Sequence, residues 1–142
     1  MEIFLRDANK NDYDFIYQFT VEMCKTNFIV SYIKLESFDA FVKRDFSDNH
    51  IHYIIMNKNN EKIGHVHITK NNEIGYDVLS KYRNQGIGTE ALEKIIELHP
   101  RERYFLTIHH ENKPSIRLAE KNGFSPKGII YEKVIQRTEN ID

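Results

Sequence analysis

Ile3–Leu5 is a short apolar run that predicts an opening strand, and Asn11 or Asp12 stands where it can cap the helix that follows. In that helix Phe15, Ile16, Phe19 and Met23 recur at helical spacing and predict one buried stripe. A second helical stretch covers roughly Leu35–Phe46. His50–Met56 and Ile63–Thr69 then read as strands joined by the polar turn Asn57–Lys62, and Glu73–Leu79 as a third strand after Asn71 and Asn72. Such short turns imply an antiparallel meander.

Helical periodicity then returns. Gly88 or Thr89 opens a helix in which Ala91, Leu92, Ile95 and Ile96 share a face, and Pro100 lies past its end. Tyr104–Ile108 is a short apolar strand. Asn112 can cap the next helix, Pro114 suits its first turn and Gly123 can close it. Lys127–Arg137 carries β-branched and aromatic residues suited to one or two final strands. A meander followed by alternating strands and helices predicts an α/β (α+β) fold with a mixed sheet and helices on its faces.

No linker, repeat or low-complexity tract divides the 142 residues, so one domain over 1–142 is expected. That length excludes a dinucleotide domain paired with a separate substrate domain. Twenty Lys+Arg against 21 Asp+Glu give a net charge of −1, which argues against a dedicated nucleic-acid binder. Cys24 has no partner for an intrachain disulfide, and no signal-like or membrane-spanning apolar run is visible. The expectation is a soluble, cytoplasmic protein.

The chemistry concentrates at Arg83-Asn84-Gln85-Gly86-Ile87-Gly88, which lies between a strand and an amphipathic helix. Two glycines there let the backbone approach a ligand, and the free N–H groups of the first helical turn point at an anion. Arg83 adds a cation, so a phosphate or pyrophosphate cradle is expected. There is no Walker loop. Gly86-Ile87-Gly88-Thr89-Glu90-Ala91 satisfies the looser dinucleotide pattern, but Ser80–Gln85 separates it from the strand, and no Asp follows the next strand to hold a ribose. A glycine turn without a ligand is the third reading of the loop alone.

Arg83–Gly88 resembles the R/Q-x-x-G-x-G/A loop with which GNAT N-acetyltransferases hold the acetyl-CoA pyrophosphate. Asn112-Lys-Pro-Ser115-Ile-Arg-Leu-Ala-Glu-Lys-Asn-Gly-Phe124 is similar to the second signature of that superfamily, and Leu5–Ala8 with Asp12 to its opening strand and cap. Ile74-Gly75-Tyr76 and Gly88–Ala91 look like the Rim-type branch, which acetylates ribosomal-protein N-termini. The resemblance implies a mostly antiparallel mixed sheet of about six to seven strands with about four helices. It also implies acetyl transfer from acetyl-CoA to a primary amine, on a protein N-terminus or a small molecule, by direct attack in a ternary complex. A non-catalytic acyl-CoA-binding module is the alternative. No metal is implied, and monomer and homodimer are both compatible.

Residue by residue, the resemblance implies that Val78 and Leu79 offer backbone hydrogen bonds to the pantetheine arm, where this strand parts from the one ending at Ile108. The N–H groups of Arg83, Asn84, Gln85, Gly86, Ile87, Gly88 and Thr89 would take the pyrophosphate, and Asn112 would contact the cofactor or order a water. Glu73 and His109 are the candidates for the base; as adjacent strand residues, His109 and His110 would point to opposite faces. Ala119 stands where many members have the Tyr that protonates the leaving thiolate, so Ser115, Tyr76 or water must replace it.

Two further patterns stand apart from the loop. If the hairpin turn centres on Asn59-Asn60, His52 lies opposite His67 with His65 diagonal on the same face. Three imidazoles can bind zinc, but no carboxylate or Cys is placed to complete a site, and a polar, partly exposed sheet face is expected. Cys24 reads as a small residue near the buried stripe. Around Leu35–Phe46, Glu36, Asp39, Asp45 and Asp48 are offset by Lys34, Lys43 and Arg44, which predicts a solvated helix face.

Overall fold

In the computed structural model, which describes residues 2–26, 28, 35–47 and 50–135, the continuous apolar run Tyr53-Ile54-Ile55-Met56 lies in β2 (His50–Asn57), covered on both faces. Coverage on both sides is why this strand does not alternate apolar with polar. β1 (Ile3–Asp7), β2, β3 (Lys62–Thr69) and β4 (Ile74–Val78) pair in that spatial order, every neighbour antiparallel. The β2–β3 turn is tight because the Asn57 side-chain oxygen accepts the N–H groups of Asn59 and Glu61, while Asn60 takes a left-handed conformation at φ 60°.

One face of the sheet buries Ile3, Ile55, Ile63, Val66, Ile68 and Ile74 against Ile87, Ala91, Leu92 and Ile95 of the helix α3 (Ile87–Leu98). The other face sets Ile54 and Met56 against Ile16 of α1 (Tyr13–Met23) and Phe41 of α2 (Phe38–Asp45). A fourth helix, α4 (Lys113–Lys121), follows a loop. In α1 only Ile16 of the predicted stripe is fully buried, and Met23 is 37% exposed at the helix end. Asp12 does not cap α1 with its side chain. It closes a capping box with Asn9 around the 3-10 turn Lys10–Asp12.

Four strands, not six to seven, form the sheet among the described residues. Tyr104–Ile108 contributes one parallel bridge, Phe105 with Glu73, and no ladder. In the tail, Lys127–Ile135 is exposed and pairs with no described residue, with Ile129 79% and Tyr131 89% accessible; Gln136 and Arg137 lie outside the described residues. The apolar, β-branched composition there met the propensity of a strand, but a strand also needs a neighbour for its N–H and C=O groups.

Candidate functional site

Among the described residues β4 forms a ladder along one edge only, with β3. Thr69 N–H reaches Glu73 O at 2.9 Å and Leu79 N–H reaches Ile63 O at 2.9 Å, so its odd-numbered residues face β3. By the alternation of an antiparallel ladder, the main-chain groups of Ile74, Tyr76 and Val78 face the other edge. There Ile74 N–H donates to Phe105 O and Phe105 N–H to Asn72 O, both at 2.9 Å. After that bridge the chain leaves β4, and the N–H groups of Tyr76 and Val78 face a gap between the two segments. The Leu79 N–H is already given to Ile63 O and faces β3 rather than the gap.

At the far end of the gap, the loop from Arg83 turns into α3 through two left-handed residues, Asn84 at φ 63° and Gly86 at φ 77°. Gly86 is the N-cap, which starts the helix a residue or two before the expected Gly88 or Thr89. A Cβ at Gly86 would meet nothing within 4 Å, so it is the left-handed conformation that calls for glycine there. Glu90 N–H bonds Gly86 O at 3.1 Å. The N–H groups of Asn84, Gln85, Gly86, Ile87, Gly88 and Thr89 have no acceptor among the described residues. That row of donors at the positive end of a helix is chemically an anion site. Arg83 is exposed beside it, its Nε donating to Val78 O at 3.2 Å.

Tyr76, Gly88, Ser115 and Leu118 meet where β4, α3 and α4 converge. A Cβ on Gly88 would lie 2.9 Å from Leu118 Cδ1 and 3.6 Å from Tyr76 Cε2. The Tyr76 hydroxyl is buried without a well-formed hydrogen bond. Burial pushes its pKa up, the adjacent Ser115 acts against that rise and Asp77 adds to it. Asn112 spends its side-chain oxygen on the α4 cap, accepting Ser115 N–H at 3.5 Å.

The two base candidates are placed differently. Glu73 is exposed in an open cleft of about 390 Å³ with His50, Thr69, Lys70, Asn71 and Phe105, and its Oε2 accepts the Thr107 hydroxyl at 2.5 Å. His109 lies on a turn, not a strand, so its ring stacks on His110 with centroids 4.6 Å apart instead of facing the opposite way. Its Nδ1 accepts Glu111 N–H at 3.1 Å, which in a neutral ring leaves the proton on Nε2 and no free lone pair to act as a base. In α2, Arg44 pairs with both Glu36 and Asp45, so the mixed charges there answer one another.

The hairpin histidines pair as expected, His52 directly opposite His67. The face they occupy is not the polar, partly exposed surface that was expected. His52 and His65 are 8% and 2% accessible, because α2 covers the sheet there and Asp45 at its end contacts His52.

The Acetyltransferase (GNAT) family model matches residues 14–124, and the chain belongs to that family of acyltransferases. It is similar to an uncharacterized N-acetyltransferase of Bacillus subtilis (strain 168), YnaD, at 27% identity over 146 residues, covering 95% of this chain and 85% of the relative. The fold is similar to a GCN5-related N-acetyltransferase from Kribbella flavida, with TM-score 0.76, 16% identity and coverage of 90% and 85% of the two chains. It also resembles the spermidine N-acetyltransferase from Vibrio cholerae solved with CoA and spermine, with TM-score 0.77, 17% identity and coverage of 95% and 88%.

Proposed function

We propose that this protein, with 1–142 acting as one domain, transfers the acetyl group of acetyl-CoA to a primary amine by direct attack in a ternary complex. The observation that carries the reading is the unpaired outer edge of β4, which leads to the free N–H groups from Asn84 to Thr89. Backbone donors along an open edge suit the amides of a pantetheine arm, and the helix-start donors with Arg83 suit its pyrophosphate. The cosubstrate lies in the gap with its thioester near Tyr76.

In the transfer the amine nitrogen bonds to the thioester carbonyl carbon, the C–S bond breaks and the CoA sulfur leaves with the electron pair. The ammonium must first lose a proton. Glu73, in its cleft at the start of β4, takes that proton through water. The Tyr76 hydroxyl, with Ser115 beside it in the place of the missing tyrosine at Ala119, supplies a proton to the departing sulfur and recovers one from the nitrogen, which sheds its second proton as the amide forms. Asn112 serves by fixing the start of α4. The likeness of Ile74–Tyr76 and Gly88–Ala91 to the Rim-type branch supports a peptide N-terminus as acceptor; a small polyamine-like amine is the competing substrate. The action belongs to the cytoplasm, where acetyl-CoA and a free Cys24 are both at home.

Ala119 favours a second reading, an acyl-CoA-binding module without turnover. Calorimetric titration with acetyl-CoA, with NAD as control, tests the cradle, and release of CoA thiol against peptide and polyamine acceptors tests turnover. Binding with thiol release supports the enzyme. Binding without release for any amine supports the module, and no binding overturns both.

A further inference from the structure

On the sheet face away from α3, β2 and β3 bring four imidazoles together, and three form a closed triangle. Ring centroids lie 5.1 Å apart for His52–His65, 5.1 Å for His65–His67 and 5.2 Å for His52–His67. One nitrogen from each of the three lies within 4.8 Å of the others. Histidines in such a place ordinarily satisfy their ring nitrogens with hydrogen bonds. Here they do not. His52 Nε2 contacts the Asp45 main-chain oxygen at 2.6 Å; a carbonyl can only accept, so Nε2 carries the proton and Nδ1 presents a lone pair. That lone pair faces His65 Nε2 at 2.8 Å, which must then donate. His65 Nδ1 is left buried without a hydrogen bond, and so is His67 Nδ1.

A cation at the centre of the triangle resolves both shortages. His52 Nδ1 and His65 Nε2 turn their lone pairs on it, and the His65 proton moves to Nδ1, where Asp77 Oδ2 lies 3.9 Å away. His52 already gives its other N–H to a main-chain oxygen. An imidazole backed by a carbonyl, and another with a carboxylate 3.9 Å away that closes on it when the ion is bound, make the kind of outer shell that orients metal-bound histidines. Gly75 opposes His67, and a Cβ there would fall 2.3 Å from the His67 Cε1, so the absence of a side chain on β4 is what admits the ring.

We propose that His52, His65 and His67 bind a divalent transition metal, zinc above all, at a site separate from the acetyl-CoA gap. Three neutral nitrogens are a ligand set of the kind zinc accepts, with a position left over. Tetrahedral zinc–nitrogen bonds of about 2.0–2.1 Å set two ligands about 3.3–3.4 Å apart, so ring rotation must open the His52–His65 pair slightly from 2.8 Å and draw the wider separations in. His50, whose ring centroid is 5.8 Å from His52 and whose Nδ1 is also buried without a partner, stands next in line for the open position.

The test uses the full chain, stripped with a chelator and titrated with zinc and separately with cobalt as a visible probe. The expected result is one ion per chain at micromolar affinity or tighter, a cobalt spectrum of an imidazole-bound ion, and a thermal midpoint that rises with zinc. His65→Gln should weaken binding by more than about 100-fold, and Asp77→Asn, which keeps every ligand, by about 10–100-fold. Gly75→Ala should also weaken it by displacing His67, while His110→Gln changes nothing. Failure of the native chain to take up either ion overturns the proposal, and so does unaltered affinity in His65→Gln. Should His65→Gln fail to fold, Asp77→Asn takes its place beside the cobalt spectrum of the native chain, unaltered affinity again overturning the proposal.

Discussion

Ile74 gives its N–H to the carbonyl of Phe105 at 2.9 Å, and with the Phe105 N–H bond to Asn72 O this makes the one bridge between their two segments among the described residues. One bridge holds the start of β4 to the following chain, and the parting beyond it leaves main-chain donors exposed along one edge. The register sorts them. In hydrogen exchange, the Tyr76 and Val78 amides should exchange quickly in the free protein and slow on adding acetyl-CoA. The Leu79 amide, bonded to Ile63 O, should be protected in both states. Protection of all three without ligand would refute an open edge.

At the loop, Gly86→Val and Gly88→Val should fail for different reasons. At φ 77° a branched side chain on Gly86 is strained by about 1–2 kcal/mol whatever the space around it. At Gly88 the difficulty is contact, since even a Cβ would approach Leu118 Cδ1 to 2.9 Å, and overpacking there costs about 1–3 kcal/mol. Chemical denaturation should show both losses, and calorimetry should show acetyl-CoA affinity falling in both. In the Gly88 variant, Leu118→Ala should restore part of the stability, a rescue that Gly86→Val should not show.

Tyr76→Phe removes a buried hydroxyl that lacks a well-formed hydrogen bond, so stability should change by less than about 1 kcal/mol. If that hydroxyl protonates the leaving thiolate, kcat should fall while the KM for acetyl-CoA holds. Because burial raises the Tyr76 pKa, the acid form persists well into alkaline pH, and native kcat should hold there. Ser115→Ala should lower kcat less. Unchanged turnover and an unchanged pH profile in both variants would return the proton to water.

Asp12 is the polar tie between β1, β3 and the start of α1. It is 1% accessible and accepts from Arg6 Nη1 and Nη2 at 2.9 Å each, Lys62 Nζ at 2.6 Å and Asn9 N–H at 2.9 Å. Burial by itself would raise its pKa; the hydrogen bonds from Arg6, Lys62 and Asn9 outweigh it and hold the carboxyl well below the usual range. Its stabilisation is therefore fully present above its unfolded value of about 3.9 and is lost as pH falls below that toward the depressed folded value. Asp12→Asn should cost about 2 kcal/mol at neutral pH, moderated because Arg6 and Lys62 reach solvent. Acid unfolding curves should show the native chain losing this advantage over the variant below about pH 4.

Much of the architecture was legible because it is written in local signals. The hairpin register that sets His52 opposite His67 follows from one polar turn, and Asn112, Pro114 and Gly123 mark the ends of α4 by their own backbone preferences. The glycine loop was legible for the same reason, since Gly86 announces a conformation that other residues avoid. Tyr104–Ile108 and Lys127–Ile135 misled because strand propensity says that a segment can pair, not that a partner is at hand.

The sequence by itself determined the glycine loop, the helix ends and the order of the meander, all of them products of interactions between near neighbours. Tertiary structure alone decided that β4 keeps an open edge, that Leu79 has no amide to spare and that Tyr76 meets Ser115. It also decided that the histidine face is buried beneath α2. Each of these depends on which distant segment supplies a hydrogen-bond partner or excludes water, and those free energies belong to pairs of surfaces that composition and spacing do not join.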